Sequence, residues 1–205
     1  MLPLIILLDV GHGGMINNKY TTAPKKMYKF EDGLTIYEGV VNRLIGNKLI
    51  SFLKEKKITV VPIAFEAEDT SLGERVRRAN ALEKKFKGQC VFVSIHCNAG
   101  KGTGFEVYTS PGETKSDKYA TLFMEEFEKE FKDHKMRKDY SDGDPDKESR
   151  FYVLVNTSMP AVLLESFFMD TRSDAELLLS DEGQKRIATA YFNAIKQIRD
   201  KYYAE

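Results

Sequence analysis

The sequence predicts an α/β fold, a single domain whose mostly parallel, twisted sheet of about six strands carries helices on both faces. Three observations point there. Apolar runs of strand length alternate with stretches of helical periodicity along the chain. The first run, Leu4–Leu8, is apolar throughout and ends at Gly11, Gly13 and Gly14, as a strand buried on both faces does. The chain has 205 residues, enough for one sizeable domain and short for two, and it shows no internal repeat, linker or low-complexity tract.

After the first strand comes a lysine-rich polar loop through about Gly33, with Lys19, Lys25, Lys26 and Lys29. From Tyr37 the positions Val40, Val41, Leu44, Ile45, Leu49, Phe52 and Leu53 recur at helical spacing and end in the lysines at 54–57. Ile58–Ile63 is β-branched and strand-like. Ser71-Leu72-Gly73-Glu74 is a capping-box signature for a helix reaching about Phe86. Cys90–Ile95 and Gly104–Thr109 read as strands, and Ser116 as the cap of a charged helix over 117–134. Residues 135–148 read as loop, then Tyr152–Val155 and Ala161–Glu165 as two further strands. Helical periodicity returns at Ser173, breaks near Ser180 and runs to the C-terminus.

Composition excludes several classes. The 31 Lys+Arg balance 31 Asp+Glu, which argues against nucleic acid as a partner. With 42% hydrophobic and 30% charged residues, the chain is neither disordered nor a disulfide scaffold. No run approaches the about 18 apolar residues that membrane insertion needs. Met1–Leu8 lacks a positive leader and a small-residue cleavage site, so it reads as a strand and no signal peptide is visible. Cys90 and Cys97, on one extended strand, would be ~23 Å apart and are read as free thiols.

Chemistry in open α/β sheets collects beyond the carboxyl ends of strands. His12 follows the first strand, His96 ends the strand from Cys90, and Glu165 closes Ala161-Val162-Leu163-Leu164. Glu38 opens a helix and can project to the same edge. A carboxylate ending so apolar a run costs several kcal/mol to bury unless it is paired or metal-bound. Only three histidines exist, and two fall at strand ends. Two imidazoles and a carboxylate form the open three-ligand set of a catalytic Zn2+ site, which lowers the pKa of a water toward ~7. Glu165 is then the group that moves protons. His134, between charged neighbours, reads as a solvated surface residue. Cys97 cannot pair with adjacent His96, because consecutive strand side chains point to opposite faces.

These motifs together resemble the zinc-dependent N-acetylmuramoyl-L-alanine amidases of the type-3 catalytic domain, found in bacterial cell-wall hydrolases and phage endolysins. Leu8-Asp9-Val10-Gly11-His12-Gly13-Gly14 and Glu38 with Val40-Val41-Asn42 are similar to the family's first two ligand motifs. Ser71-Leu72-Gly73-Glu74-Arg75 through Ala79-Asn80 resembles the helix before the third, Ser94-Ile95-His96-Cys97-Asn98. Gly104-Phe105-Glu106-Val107-Tyr108 resembles the strand after it, and Pro160-Ala161-Val162-Leu163-Leu164-Glu165 the segment with the catalytic glutamate. The resemblance implies Zn2+ on His12, Glu38 and His96, Glu165 as general acid/base, and hydrolysis of the bond joining N-acetylmuramic acid to L-alanine in peptidoglycan. It further implies a monomeric catalytic domain over 1–205, without a cell-wall-binding module, acting on the cell wall. Another zinc peptidase or deacetylase on this fold, or a non-catalytic peptidoglycan-binding module, are the alternatives.

Overall fold

The computed structural model describes residues 3–203, so Met1, Leu2, Ala204 and Glu205, at the ends of the first and last predicted elements, lie outside the described residues. In chain order the elements are β1 (Ile5–Val10), β2 (Met15–Ile16), β3 (Lys19–Tyr20), β4 (Met27–Lys29), β5 (Thr35–Tyr37) and α1 (Glu38–Glu55). There follow β6 (Thr59–Ala64), α2 (Leu72–Lys85), β7 (Cys90–Asn98), β8 (Phe105–Thr109) and α3 (Lys115–Glu130). The chain closes with β9 (Lys147–Glu148), α4 (Tyr152–Val155), β10 (Ala161–Phe168), α5 (Arg172–Leu179) and α6 (Asp181–Tyr202).

The main sheet has the order β6-β1-β7-β10-β8-β9. β6, β1, β7 and β10 run parallel, whereas β8 is antiparallel to β10 and carries β9 beside it. The α/β expectation therefore holds, with a reversed pair of strands at one edge. β1 is buried along its whole length because β6 and β7 flank it and helices cover both faces. Each fully buried Leu or Ile there contributes roughly 1.5–3 kcal/mol. Pro62 is tolerated in β6 because that strand is at the edge, where one missing amide donor costs little.

Strand alternation divides the core. Ile6, Leu8, Val91, Val93, Ile95, Val162 and Leu164 face α1, α3, α5 and α6. On α1 the buried stripe is Val41, Ile45, Leu49 and Leu53, one residue per turn. Phe105 stacks on Phe127 at 3.9 Å between ring centroids, and Tyr191 reaches from α6 into the same cluster. Ile5, Leu7, Cys90, Phe92, Ala161 and Leu163 face α2 and α4 on the other side. Both cysteines are buried free thiols.

Several expectations are corrected. Tyr152–Val155 is a short helix, not a strand: Val153 and Leu154 pack inward while Tyr152 and Val155 stay exposed, and a four-residue apolar run carries no periodicity to separate the two forms. The outer strand of the sheet is instead β9, within the stretch read as loop. α3 ends at Glu130 rather than His134, and its cap is Thr114, whose side chain and Asp117 form a reciprocal capping box. His134 is half-buried and edges onto Phe131 and Phe167, so it is not fully solvated. The polar loop before α1 folds into two small hairpins, β2–β3 and β4–β5. Among the described residues, no helix is long and apolar enough to cross a membrane.

Candidate metal centre

His12, Glu38, His96 and Glu165 meet at the carboxyl edge of the sheet, lining or flooring one cleft of ≈ 390 Å³. His12 follows β1 in a left-handed conformation, φ 66°. Such a backbone costs a β-carbon-bearing residue of order 1–3 kcal/mol and needs external support. Arg43 supplies it, donating from Nη2 to the His12 carbonyl at 2.8 Å and from Nη1 to the Gly13 carbonyl at 3.0 Å. Gly11 is required for space: a Cβ there would lie 2.2 Å from Cε1 of His96.

Glu38 is the first residue of α1, 1% exposed, where the helix dipole favours a carboxylate. Its Oε1 lies 3.0 Å from His96 Nδ1 and 3.2 Å from His12 Nε2, and also accepts from the Cys97 amide at 3.3 Å. The two imidazole rings stand edge to face at 5.1 Å. One donor atom from each of His12, Glu38 and His96 falls within 4.8 Å of the others, so the three residues can share one ion. His12 Nε2 and Glu38 Oε2 are sealed from solvent without a hydrogen-bond partner. Buried polar atoms left in that state are costly, and a cation between them satisfies both.

Electrostatics agree with such a centre. Burial pushes the Glu38 carboxyl up, but the His12 and His96 imidazoles against it outweigh that and hold it well below the usual range. Burial depresses the His12 imidazole, keeping it neutral and able to donate a lone pair. Burial also opposes charge on His96, yet the Glu38 hydrogen bond and the Glu165 charge raise it overall. A metal ion binding here must displace that proton. Cys97 points to the opposite face, its thiol donating to Asn42 Oδ1 at 3.3 Å, and burial raises it far above a reactive range.

Glu165 sits beside the three donors but is not one of them. It pairs across β7 with His96, and immediately beyond it the β10 register shifts and Phe167 turns to φ 62°. Bulges of this kind re-aim side chains at sheet ends. Burial, first, and the neighbouring Glu38 charge push the Glu165 carboxyl up to about 7, and its Oε2 has no partner. That value suits a group that both takes and returns a proton near neutrality.

The same burial has a consequence for the metal-free protein. Unfolded, the carboxyl titrates near its ordinary 4.5; folded, near about 7. Between these values the folded state holds a proton that the unfolded state has lost. The stability this supplies is present below about pH 4.5 and disappears as pH climbs through about 7, a change on the order of 3 kcal/mol. Urea unfolding of wild type and Glu165→Gln at about pH 5 and about pH 8 measures it. The variant should gain relative stability at the higher pH; a constant difference would place the ionisation elsewhere.

Two groups of residues at the cleft were not given roles from the sequence. Asp9, Arg75 and Ser94 form a buried network under it, with Arg75 Nη1 at 2.5 Å from Asp9 Oδ1. Arg43 clamps the glycine loop. Both join residues dozens of positions apart, and spacing along the chain carries no trace of them. Of the lysines in the loop after β1, Lys26 lines the cleft, 3.9 Å from Glu38 Oε2.

The family model Amidase_3, described as N-acetylmuramoyl-L-alanine amidase, matches residues 6–197. The chain is 31% identical over 193 residues to the N-acetylmuramoyl-L-alanine amidase CwlM of Bacillus licheniformis, covering 93% of this chain and 66% of that one. It is 30% identical over 201 residues to the endolysin of Bacillus phage SPP1, covering 95% of this chain and 65% of the relative. The chain thus spans about two thirds of the length of these two relatives. The solved structure of AmiC2, an N-acetylmuramoyl-L-alanine amidase of Nostoc punctiforme, superposes with a TM-score of 0.75 at 25% identity, covering 97% of this chain and 98% of that one. On the family match across residues 6–197, the chain belongs to the N-acetylmuramoyl-L-alanine amidase family of enzymes.

Proposed function

We propose that this protein is a zinc amidase that cuts the amide between the lactyl group of N-acetylmuramic acid and L-alanine of the peptidoglycan stem peptide. His12, Glu38 and His96 would hold Zn2+, and Glu165 would carry protons. The observation that carries the reading is the convergence of two imidazoles and a carboxylate, with His12 Nε2 and Glu38 Oε2 buried and unpartnered, beside a half-buried Glu165. Nitrogen and oxygen donors in this number suit Zn2+ with a position left open. Bound there, the ion supplies Lewis-acid activation of a water and of the scissile carbonyl, worth several kcal/mol.

The chain's own groups do the rest. Glu165, ionised, accepts a proton from the attacking water and returns it to the departing amine of L-alanine. Its burial keeps that carboxyl's basicity high enough for both transfers. Lys26 on the cleft wall offers a positive charge to stem-peptide carboxylates. Exposed Leu72, Phe151 and Tyr152 along the same wall give apolar surface for sugar rings and the lactyl methyl. The site of action is the cell wall, reached by export or by release from a phage-infected cell.

The test is a digest. Zinc-loaded protein on purified peptidoglycan should release peptides with a free L-alanine amino terminus and leave intact glycan strands, identified by mass spectrometry. A chelator should stop release and added Zn2+ should restore it. Acetate release, or cuts within the stem peptide, would overturn the assignment of the bond.

A further inference from the structure

A second group of carboxylates lies away from the cleft. β8 is antiparallel to β10, with Tyr108 opposite Leu163 and Phe105 opposite Ser166. Its last residue, Thr109, therefore lies toward the amino end of β10, at the opposite edge of the sheet from Glu165. There one carboxylate oxygen from each of Asp117, Asp144 and Asp146 lies within 4.8 Å of the others. Asp117 comes from the first turn of α3. Asp144 and Asp146 come from the turn Asp142-Gly143-Asp144-Pro145-Asp146, where the acidic residues alternate.

Asp146 is the telling member. It is 2% exposed; its Oδ2 accepts from the Thr109 hydroxyl at 2.7 Å, while its Oδ1 is sealed from solvent with no hydrogen-bond partner. Asp144 accepts from the Asp146 amide at 3.2 Å, which holds the two carboxylates together. Basic side chains of the same segment are engaged elsewhere: Lys147 and Arg137 with Glu106, Lys138 with Glu128. Burial, then a hydrogen bond with Asp144 and the Asp144 and Asp117 charges, push the Asp146 carboxyl up to about 8; Lys118 also lines the cavity beside it. The cavity beside it, ≈ 510 Å³, is also lined by Thr114 and Glu148, which offer more oxygen donors.

We propose that Asp117, Asp144 and Asp146 bind a divalent cation of the calcium class, tying the 135–148 segment to the start of α3. All donors are oxygens, three are carboxylates, and the turn is irregular; Ca2+ accepts six to eight such ligands in flexible geometry, whereas Mg2+ demands a near-octahedron. The ion satisfies Asp146 Oδ1 and steadies β9, whose Lys147 reaches Glu106 at 3.1 Å. This site is independent of the amidase reading.

The rival arrangement is a proton shared between Asp146 and Asp144, which needs no metal. Zinc-loaded protein in calcium-depleted buffer, titrated calorimetrically with CaCl2, distinguishes them. One Ca2+ should bind per chain with a Kd of roughly 10⁻⁵–10⁻³ M. At about 100 times Kd, thermal unfolding should shift up by roughly 5–10 °C. Asp144→Asn should abolish that shift, and His12→Ala, which breaks the other centre, should keep it. No binding and no shift by about 10 mM CaCl2 in wild type would overturn the proposal. So would an undiminished shift in Asp144→Asn, or its loss in His12→Ala. The wild-type titration decides even if a variant fails to fold.

Discussion

Replacing Glu165 by Gln should lower kcat by roughly 10²–10⁴-fold while zinc content remains stoichiometric. The amide has the shape of the carboxyl, so packing at the end of β10 is preserved. It accepts no proton, so the attacking water and the leaving amine lose the group that serves both. Glu165 is outside the set of His12, Glu38 and His96, which is why metal content should not follow activity down. KM should change little, because the carboxyl acts on the reacting atoms more than on the bound substrate. Wild-type kcat/KM should rise with pH through an acid limb as Glu165 ionises. A cation beside the carboxyl favours its charged form, so that limb lies below the about 7 of the metal-free fold. The variant should lose the limb along with the rate. Elemental zinc analysis beside turnover on purified peptidoglycan makes the comparison. Undiminished turnover with full zinc would assign the proton transfers to another group.

The candidate site was legible because it hangs on strand ends. A run such as Val162-Leu163-Leu164 declares burial, and a glutamate closing it needs a chemical reason that few alternatives supply. His12 and His96 stand out for the same reason, and Glu38 because a carboxylate opens a well-patterned helix. Even the dismissal of Cys97 followed from the two-residue strand period, and its thiol indeed meets Asn42 on the far face. What could not be read falls into two kinds. Short elements carry too little periodicity: Tyr152–Val155 satisfies strand and helix patterns equally, and the two residues of β9 satisfy neither. Contacts between distant segments carry none at all. Asp9 and Arg75 are separated by 66 positions, Arg43 and His12 by 31, and only the folded sheet brings them together.

Arg75→Met should cost about 3–5 kcal/mol of stability, a large part of what a domain this size possesses. For a chain of this length that lowers Tm by roughly 6–20 °C. Arg75 and Asp9 are 3% and 1% exposed, so neither can turn to water when its partner is lost. In wild type Arg75 Nη1 donates to Asp9 Oδ1 at 2.5 Å and to the Val10 carbonyl at 2.7 Å, and its Nε donates to the Thr70 carbonyl at 2.9 Å. After the change, the Ser94 hydroxyl is what remains to Asp9, at 2.6 Å from Oδ2. The penalty is chiefly that of a buried carboxylate stranded without its counter-charge, so Asp9→Leu combined with Arg75→Met should recover part of it. A double-mutant cycle in urea reads this directly. Val10 stands two residues before His12, so releasing its carbonyl should also loosen the histidine and weaken zinc binding by roughly 10–100-fold. Stability and metal affinity should then fall together. A stability loss with unchanged zinc affinity would instead show that Arg43, at 2.8 Å from the His12 carbonyl, holds the histidine in place by itself.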